Sequence, residues 1–219
     1  AAGPRSRLML LWDDPVAPGG APRHTAPQGL AWNAETQSVS TGWYRVHFEN
    51  GTIGSLRTAG FSSPSMSIPS VSFLKSLIFS SQETGWSDEP GTVERFEVVY
   101  QGPMRTVIHV RKALKAGVTY DKTYTFYPRH FELEIAVNKP TGGLYSRAHY
   151  AEPCTFVDDK GNKATVDGRG DGEGIYSANK DPKWYAVFTP RWAHSCIALS
   201  PMSTIAYWDA GQLGAVGFH

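Results

Sequence analysis

The 219-residue chain is poor in cysteine, holding only Cys154 and Cys196, so a disulfide-dense scaffold and a Cys-rich zinc module are both excluded. Zinc-ligand spacing, a P-loop, a dinucleotide-binding glycine motif and a G-x-S-x-G elbow are missing as well, which removes most nucleotide-dependent and serine-hydrolase chemistries. Charge of one sign is absent: 21 Lys and Arg against 20 Asp and Glu leave a formal net charge of +1. Without a basic run to follow a phosphate backbone, nucleic acid is not the expected partner. No apolar stretch reaches the roughly 20 residues a helix needs to cross a bilayer. The best, 68–79, is interrupted by Pro69, Ser70, Ser72, Lys75 and Ser76, so no transmembrane segment is expected. Asn and Gln are scarce, five of each, a composition that hints at a warm habitat.

Glycine and proline are plentiful, 22 and 15 residues, which fits a globular chain of many short elements and many turns. An apolar strand at 7–12 stands apart, because 13–29, "DDPVAPGGAPRHTAPQG", carries Pro15, Pro18, Pro22 and Pro27 with Gly19, Gly20 and Gly29 and cannot be a regular element. The expected division is an N-terminal strand with its Pro/Gly-rich tether, 1–29, and a sandwich domain, 30–219. That strand needs a partner, either in its own sheet or in the next subunit as an inserted arm. The start Ala1-Ala2-Gly3 suits the residues left by signal-peptide cleavage, so an extracellular or cell-surface location is expected. In that setting an even cysteine count points to a Cys154–Cys196 disulfide, with two buried thiols as the alternative.

From Thr41 onward the period is two. "TGWYRVHF" puts Tyr44, Val46 and Phe48 on one face and Trp43, Arg45 and His47 on the other, and Asn50-Gly51 then predicts a tight hairpin into a strand at 52–57. "VSFLKSLIFS" reads as a strand or a short helix, since Val71, Leu74 and Ile78 also fit helical spacing. Strands are expected at 93–100, 104–111, 118–127 and 131–138, an antiparallel meander, and then at 144–150, 155–157, 184–189, 196–200, 204–208 and 213–218. In "TYTFYPRHFELEIAV" the apolar positions change from even to odd across Pro128-Arg129-His130, the mark of a corner between two strands. About a dozen strands with at most one short helix predict an all-β fold, an antiparallel two-sheet β-sandwich.

Three alternating rows combine cation and imidazole: Trp43-Arg45-His47, Arg105-Val107-His109-Arg111 and Tyr145-Arg147-His149. Side by side they would form a basic, aromatic concavity, able to stack a sugar ring and meet its carboxylates with guanidinium groups. The plainer reading is that solvent faces of antiparallel sheets are polar anyway. Tyr145, Arg147 and His149 carry the most chemical potential, because a phenol or imidazole can take the proton beside a carboxylate while Arg holds the developing charge, as β-elimination from a uronic acid requires. "TPRWAHS" adds Arg191, Trp192 and His194 in a loop before Cys196. The acidic loop with Asp167, Asp171 and Glu173 is a calcium candidate of irregular type. It fails the EF-hand pattern, because Arg169 stands where a second carboxylate belongs and the twelfth place holds no Glu. No organic cofactor is implied. Arg169-Gly170-Asp171 is assigned no function, and Asn50-Gly51-Thr52 is a glycosylation sequon in an exposed turn.

At "WYRVHFENGTIGSLRTAG", and again across "GPMRTVIHV" and "YDKTYTFYPRHFELEIAV", the chain resembles the β-sandwich modules of large polysaccharide lyases, particularly exo-acting rhamnogalacturonan-lyase-like enzymes and the mutarotase-like sandwiches beside them. The likeness spans about residues 41–140. In that family the sandwich accompanies an (α/α) toroid, which this chain does not contain, so the resemblance implies a carbohydrate-associated sandwich and transfers no catalytic residue. Two functions are expected in competition. One is an exported sandwich that binds an acidic polysaccharide and, in catalytic form, cleaves it as a lyase. The other is a structural subunit of an extracellular fibre or surface layer, in which residues 7–12 complete the sheet of another copy.

Overall fold

The alternation at 119–137 sets the pattern for the molecule. Burial along Thr119–Phe126 and His130–Val137 switches strictly between half-buried and buried, so Tyr120, Tyr124 and Phe126 enter the core from one strand and Phe131, Leu133, Ile135 and Val137 from the next. Phe126 lies opposite Phe131 and Tyr124 opposite Leu133. The four-residue turn between them turns an even phase into an odd one and keeps every apolar side chain on one face.

The computed structural model describes residues 5–13, 29–63, 66–81, 86–87, 91–138, 145–166, 176–180, 183–199, 204–210 and 213–218. The strands among them are β1 (Arg5–Asp13), β2 (Ala31–Asn33), β3 (Ser38–Ser40), β4 (Tyr44–Glu49), β5 (Thr52–Thr58), β6 (Phe61–Ser63), β7 (Met66–Ile68), β8 (Ser72–Ser81), β9 (Trp86–Ser87), β10 (Thr92–Gln101) and β11 (Thr106–Ala113). They continue with β12 (Thr119–Phe126), β13 (His130–Val137), β14 (Tyr145–Tyr150), β15 (Cys154–Asp158), β16 (Lys163–Val166), β17 (Tyr176–Lys180), β18 (Trp184–Phe188), β19 (Ala193–Ala198), β20 (Thr204–Ala210) and β21 (Leu213–Phe218). Among the described residues the one helical element is a 3-10 turn at Lys115–Gly117, and no helix there is long and apolar enough to cross a membrane.

Two large antiparallel sheets carry the fold. One runs β10-β11-β12-β13-β1-β19-β18-β15-β16, the other β17-β20-β21-β14-β8-β5-β4-β3-β2 with β9 paired to β8 as its tenth strand, and β6 with β7 makes a small separate ribbon. Side chains from both sheets meet between them, which is the sandwich expected from the alternation. Phe48 of β4 is the hub at one place, with ring centroids 5.3 Å from Phe96, 5.1 Å from Tyr124 and 6.0 Å from Phe126. Phe73 of β8 is the hub at another, 5.3 Å from Trp192 and 5.5 Å from His194. Edge-to-face and offset rings of this kind add to the burial that holds the sheets together.

The segment whose period fitted both strand and helix is strand β8. Its register skips Phe73 against β5, where Leu56 meets Leu74 and Arg57 meets Ser72, and skips Lys75 against β14, where Tyr150 meets Leu74 and His149 meets Ser76. The extra residue Phe73 falls between Val71 and Leu74, and the extra residue Lys75 between Leu74 and Leu77, so each pair is three apart and bulges imitate a helical spacing.

The disulfide is corrected. Cys154 and Cys196 are both free thiols in the core. Cys196 lies opposite Tyr185 on β18, whereas Cys154 precedes Thr155, which lies opposite Phe188 on the other side of β18. A whole strand separates them, about 9–10 Å across the sheet, more than the roughly 7 Å limit on Cα separation for a bridge.

Candidate functional site

The hairpin β4–β5 begins with Asn50 at φ 47° and Gly51 at φ 70°, the paired left-handed conformations of a two-residue type I′ turn. Glu49 then faces Thr52 and Phe48 faces Ile53, but the next pair is His47 with Ser55. Gly54 is the extra residue. A Cβ there would sit 2.8 Å from the Glu49 Cβ, so the bulge depends on glycine. From that point the register is displaced by one, and Arg45 faces Arg57 where a regular hairpin would have put Leu56.

The two arginines are exposed on the outer face of the ten-stranded sheet. Arg45 Nε donates to Ser40 Oγ at 3.0 Å, and Arg57 Nε donates to Ser70 Oγ at 3.3 Å. Among the described residues neither guanidinium has a carboxylate partner. Across the strands the row reads Ser40, Arg45, Arg57, Ser72, hydroxyl and guanidinium donors at the spacing of about 4.8 Å between neighbouring strands.

Trp43, two residues before Arg45, adds the aromatic element. Arg129 lies over its ring, 4.6 Å from centroid to guanidinium carbon, within cation–π distance. The corner that carries Arg129 is fixed from below. The buried hydroxyl of Tyr44 lies 2.6 Å from the carbonyl oxygen of Tyr127 and 2.9 Å from that of His130 and donates to this pair. Tyr127 and His130 stack at 4.6 Å, and burial lowers the His130 pKa against the opposing pull of Glu132. The change of phase at Pro128-Arg129-His130 is thus a corner that delivers Arg129 to the Trp43 row. His47, the third member of that row, donates from Nδ1 to the Thr36 carbonyl at 2.8 Å.

The other predicted residues go elsewhere. Tyr145-Arg147-His149 is in β14 of the same sheet, but His149 lies opposite Ser76 and Arg147 opposite Ile78, while Arg57 lies opposite Ser72 on the far side of β8. The offsets along β8 are four and six residues, about 13 and 20 Å. The side chains of Tyr145 and Arg147 lie outside the described residues. Arg105 and His109 belong to the nine-stranded sheet, across the sandwich from Arg45. There the cations are answered locally: His109 Nε2 is 3.1 Å from Asp121, Arg111 Nε donates to Glu94 at 3.1 Å, and Arg105 lies 5.0 Å over Tyr100. The three rows do not form one concavity.

Arg191, Trp192 and His194 do come near the end of the 145–150 strand, without any disulfide to bring them. Glu152 accepts from Trp192 Nε1 and from the Arg191 guanidinium, and His194 Nε2 is 3.1 Å from the Tyr150 hydroxyl. The expected surface site is corrected, however, because Trp192 is 1% and His194 2% exposed. His194 belongs to strand β19, not a loop, and alternation sends it inward with Cys196. Burial holds its pKa down at about 3, so it is neutral, and its Nδ1 has no hydrogen-bond partner among the described residues. Burial, with Glu152 adding to it, pushes the Cys154 thiol up to about 12; burial likewise raises Cys196. Both thiols are protonated and inert. The calcium candidates Asp167, Asp171 and Glu173 lie outside the described residues, within which no three His, Cys, Asp or Glu side chains gather as a metal set.

Arg57 is the residue that sequence reasoning missed. The signal for Arg57 was Gly54, an isolated glycine inside a strand pattern, which marks a bulge. Arg129 carried no signal beyond its place at the corner. No protein-family model and no curated protein matches the chain.

Proposed function

We propose that the chain is a sandwich module that binds an acidic polysaccharide, outside the cell or at its surface, at the Arg45–Arg57 pair on the outer face of the ten-stranded sheet. The observation that carries this reading is Arg45 directly opposite Arg57 with no carboxylate partner for either among the described residues. Like charges facing each other across two strands are destabilising, and an exposed pair of guanidinium forks is the donor set that matches a carboxylate in two-point fashion. Ser40 and Ser72 beside them offer partners to sugar hydroxyls. The reading is one of binding. The buried, neutral His194 is not placed to take a proton from a polymer at the surface, and β-elimination gains no support from it.

The test is calorimetric titration with an oligogalacturonate and with a neutral galactose oligomer of equal length. The acidic oligomer is expected to bind, with affinity falling as salt rises, and Arg57→Ala to weaken it about tenfold, or about 1.4 kcal/mol. Equal binding of the neutral oligomer, or none of either, sinks the proposal. A new enol-ether absorbance during incubation would add cleavage to binding.

A further inference from the structure

We infer that β1 is an exchangeable strand, and that the chain assembles with a second copy of itself by placing β1 between that copy's β13 and β19. The inference goes beyond the polysaccharide reading and is independent of it. Its basis is the topology of the nine-stranded sheet. Strands β10 to β13 form one half and β19, β18, β15 and β16 the other, and among the described residues β1 is the strand that pairs with both. The register runs from Arg5 with Ala136 to Leu11 with His130 on one side, and from Leu8 with Ala198 to Asp13 with Ala193 on the other.

This pairing is made by main chain along both edges, so the slot between β13 and β19 accepts the strand equally from its own chain or from a neighbour. Leu8 and Leu10 meet Leu133, Phe131 and Cys196 in that register, and all three partners are buried. An empty slot would open two long sheet edges beside core side chains, the arrangement that proteins avoid. Some copy must fill it, and the connection decides which. Residues 14–28 separate Asp13 from Gly29, a contour of about 50 Å when extended, enough to serve either slot. Pro15, Pro18, Pro22 and Pro27 give that connection the composition of a semi-rigid spacer. Closed and exchanged forms share the same strand pairing, so concentration selects between them.

The register supplies the test, since Leu10 lies directly opposite Cys196 and the Cα atoms of such pairs are about 4.5–5.5 Å apart, within disulfide range. One full-length chain carries Leu10→Cys with Cys196→Ser; a second, of different mass, keeps Leu10 and Cys196; both carry Cys154→Ser. The two are refolded together at high concentration under mild oxidation. A reducible band at the summed mass is expected. With one cysteine in each chain the cross-link stops at this heterodimer, and its summed mass separates it from either homodimer, so its appearance supports the inference. A third chain combining Leu10→Cys with native Cys196 is the control. If it forms its internal bond while the mixed pair stays monomeric at every concentration, exchange is refuted; if the control does not bond either, β1 does not occupy the slot and the inference also fails.

Discussion

Trp43 and Trp192 keep similar company, each near arginine, histidine and tyrosine, and yet the two regions do opposite things. Around Trp192 the polar partners close on one another: Glu152 takes the indole and the Arg191 guanidinium, Tyr150 takes His194, and the Tyr150 and Tyr185 hydroxyls bond together. On the side of Trp43, Arg45 and Arg57 have serines and Arg129 has a ring for partners, with no acid among the described residues. The same residue types make a closed cluster where a carboxylate and burial answer them, and an open, cationic surface where neither does. Residue type alone did not assign the chemistry; counter-charge and burial did.

The largest effect is expected where the interior is emptied. Trp192→Ala removes a fully buried indole and takes from Glu152 one of its two donors, leaving Arg191, so stability should fall by about 3–5 kcal/mol in urea unfolding. Oligogalacturonate affinity of the folded fraction should stay within about twofold. A loss of affinity instead would show that the two regions act together and would break the contrast.

Acid gives the next largest effect. His194 is held at about 3 in the folded chain, against about 6.5 when unfolded, so below pH 6.5 the unfolded state binds the proton first. Stability from this group is therefore whole above pH 6.5 and declines as pH falls towards 3, by about 3 kcal/mol between pH 7 and pH 4. His194→Phe should flatten that part of the urea midpoint against pH profile. An unchanged slope would mean that the ring is not sealed as the Trp192 region requires.

The surface region depends on one glycine. Gly54→Val puts a branched side chain where a Cβ already meets Glu49 at 2.8 Å, and either the bulge is lost or the hairpin is strained, at a cost of about 1–3 kcal/mol. Because the register beyond Gly54 sets Arg57 opposite Arg45, acidic-oligomer binding should drop at least as far as with Arg57→Ala. Full affinity in a folded Gly54→Val chain would separate the bulge from the site.

Gly54 also shows how far the fold could be seen in the residues. The strand faces of 44–48 and 119–137 were legible because period two survives over each, and the Asn50-Gly51 turn because few other sequences take two left-handed residues. What defeats pattern reading is the bulge. At Gly54 it displaced the register that would have named Arg57, and in β8 it gave Leu74 and Leu77 a helical spacing. Burial was hidden for a different reason. Trp192 and His194 read as polar-tipped surface residues, and only the cross-sheet neighbours Tyr150 and Phe73 show that they belong inside. Those neighbours are remote in sequence, so no local pattern could report them.

The smallest effect carries the opposite sign. Arg57→Glu places an acid opposite Arg45, replacing a repulsive cross-strand pair with an attractive one worth about 0.5–1 kcal/mol. For a domain of this size that is a rise of about 1–4 °C in Tm by calorimetry. The same change should remove oligogalacturonate binding, because the new carboxylate occupies the guanidinium fork that the ligand would use and repels the ligand as well. A variant that gains stability as it loses its ligand is what an uncompensated functional pair predicts. If Arg57→Glu lowered the Tm, Arg45 and Arg57 would be doing structural work that the neighbouring serines do not reveal, and the distinction between the two tryptophan regions would narrow to burial alone.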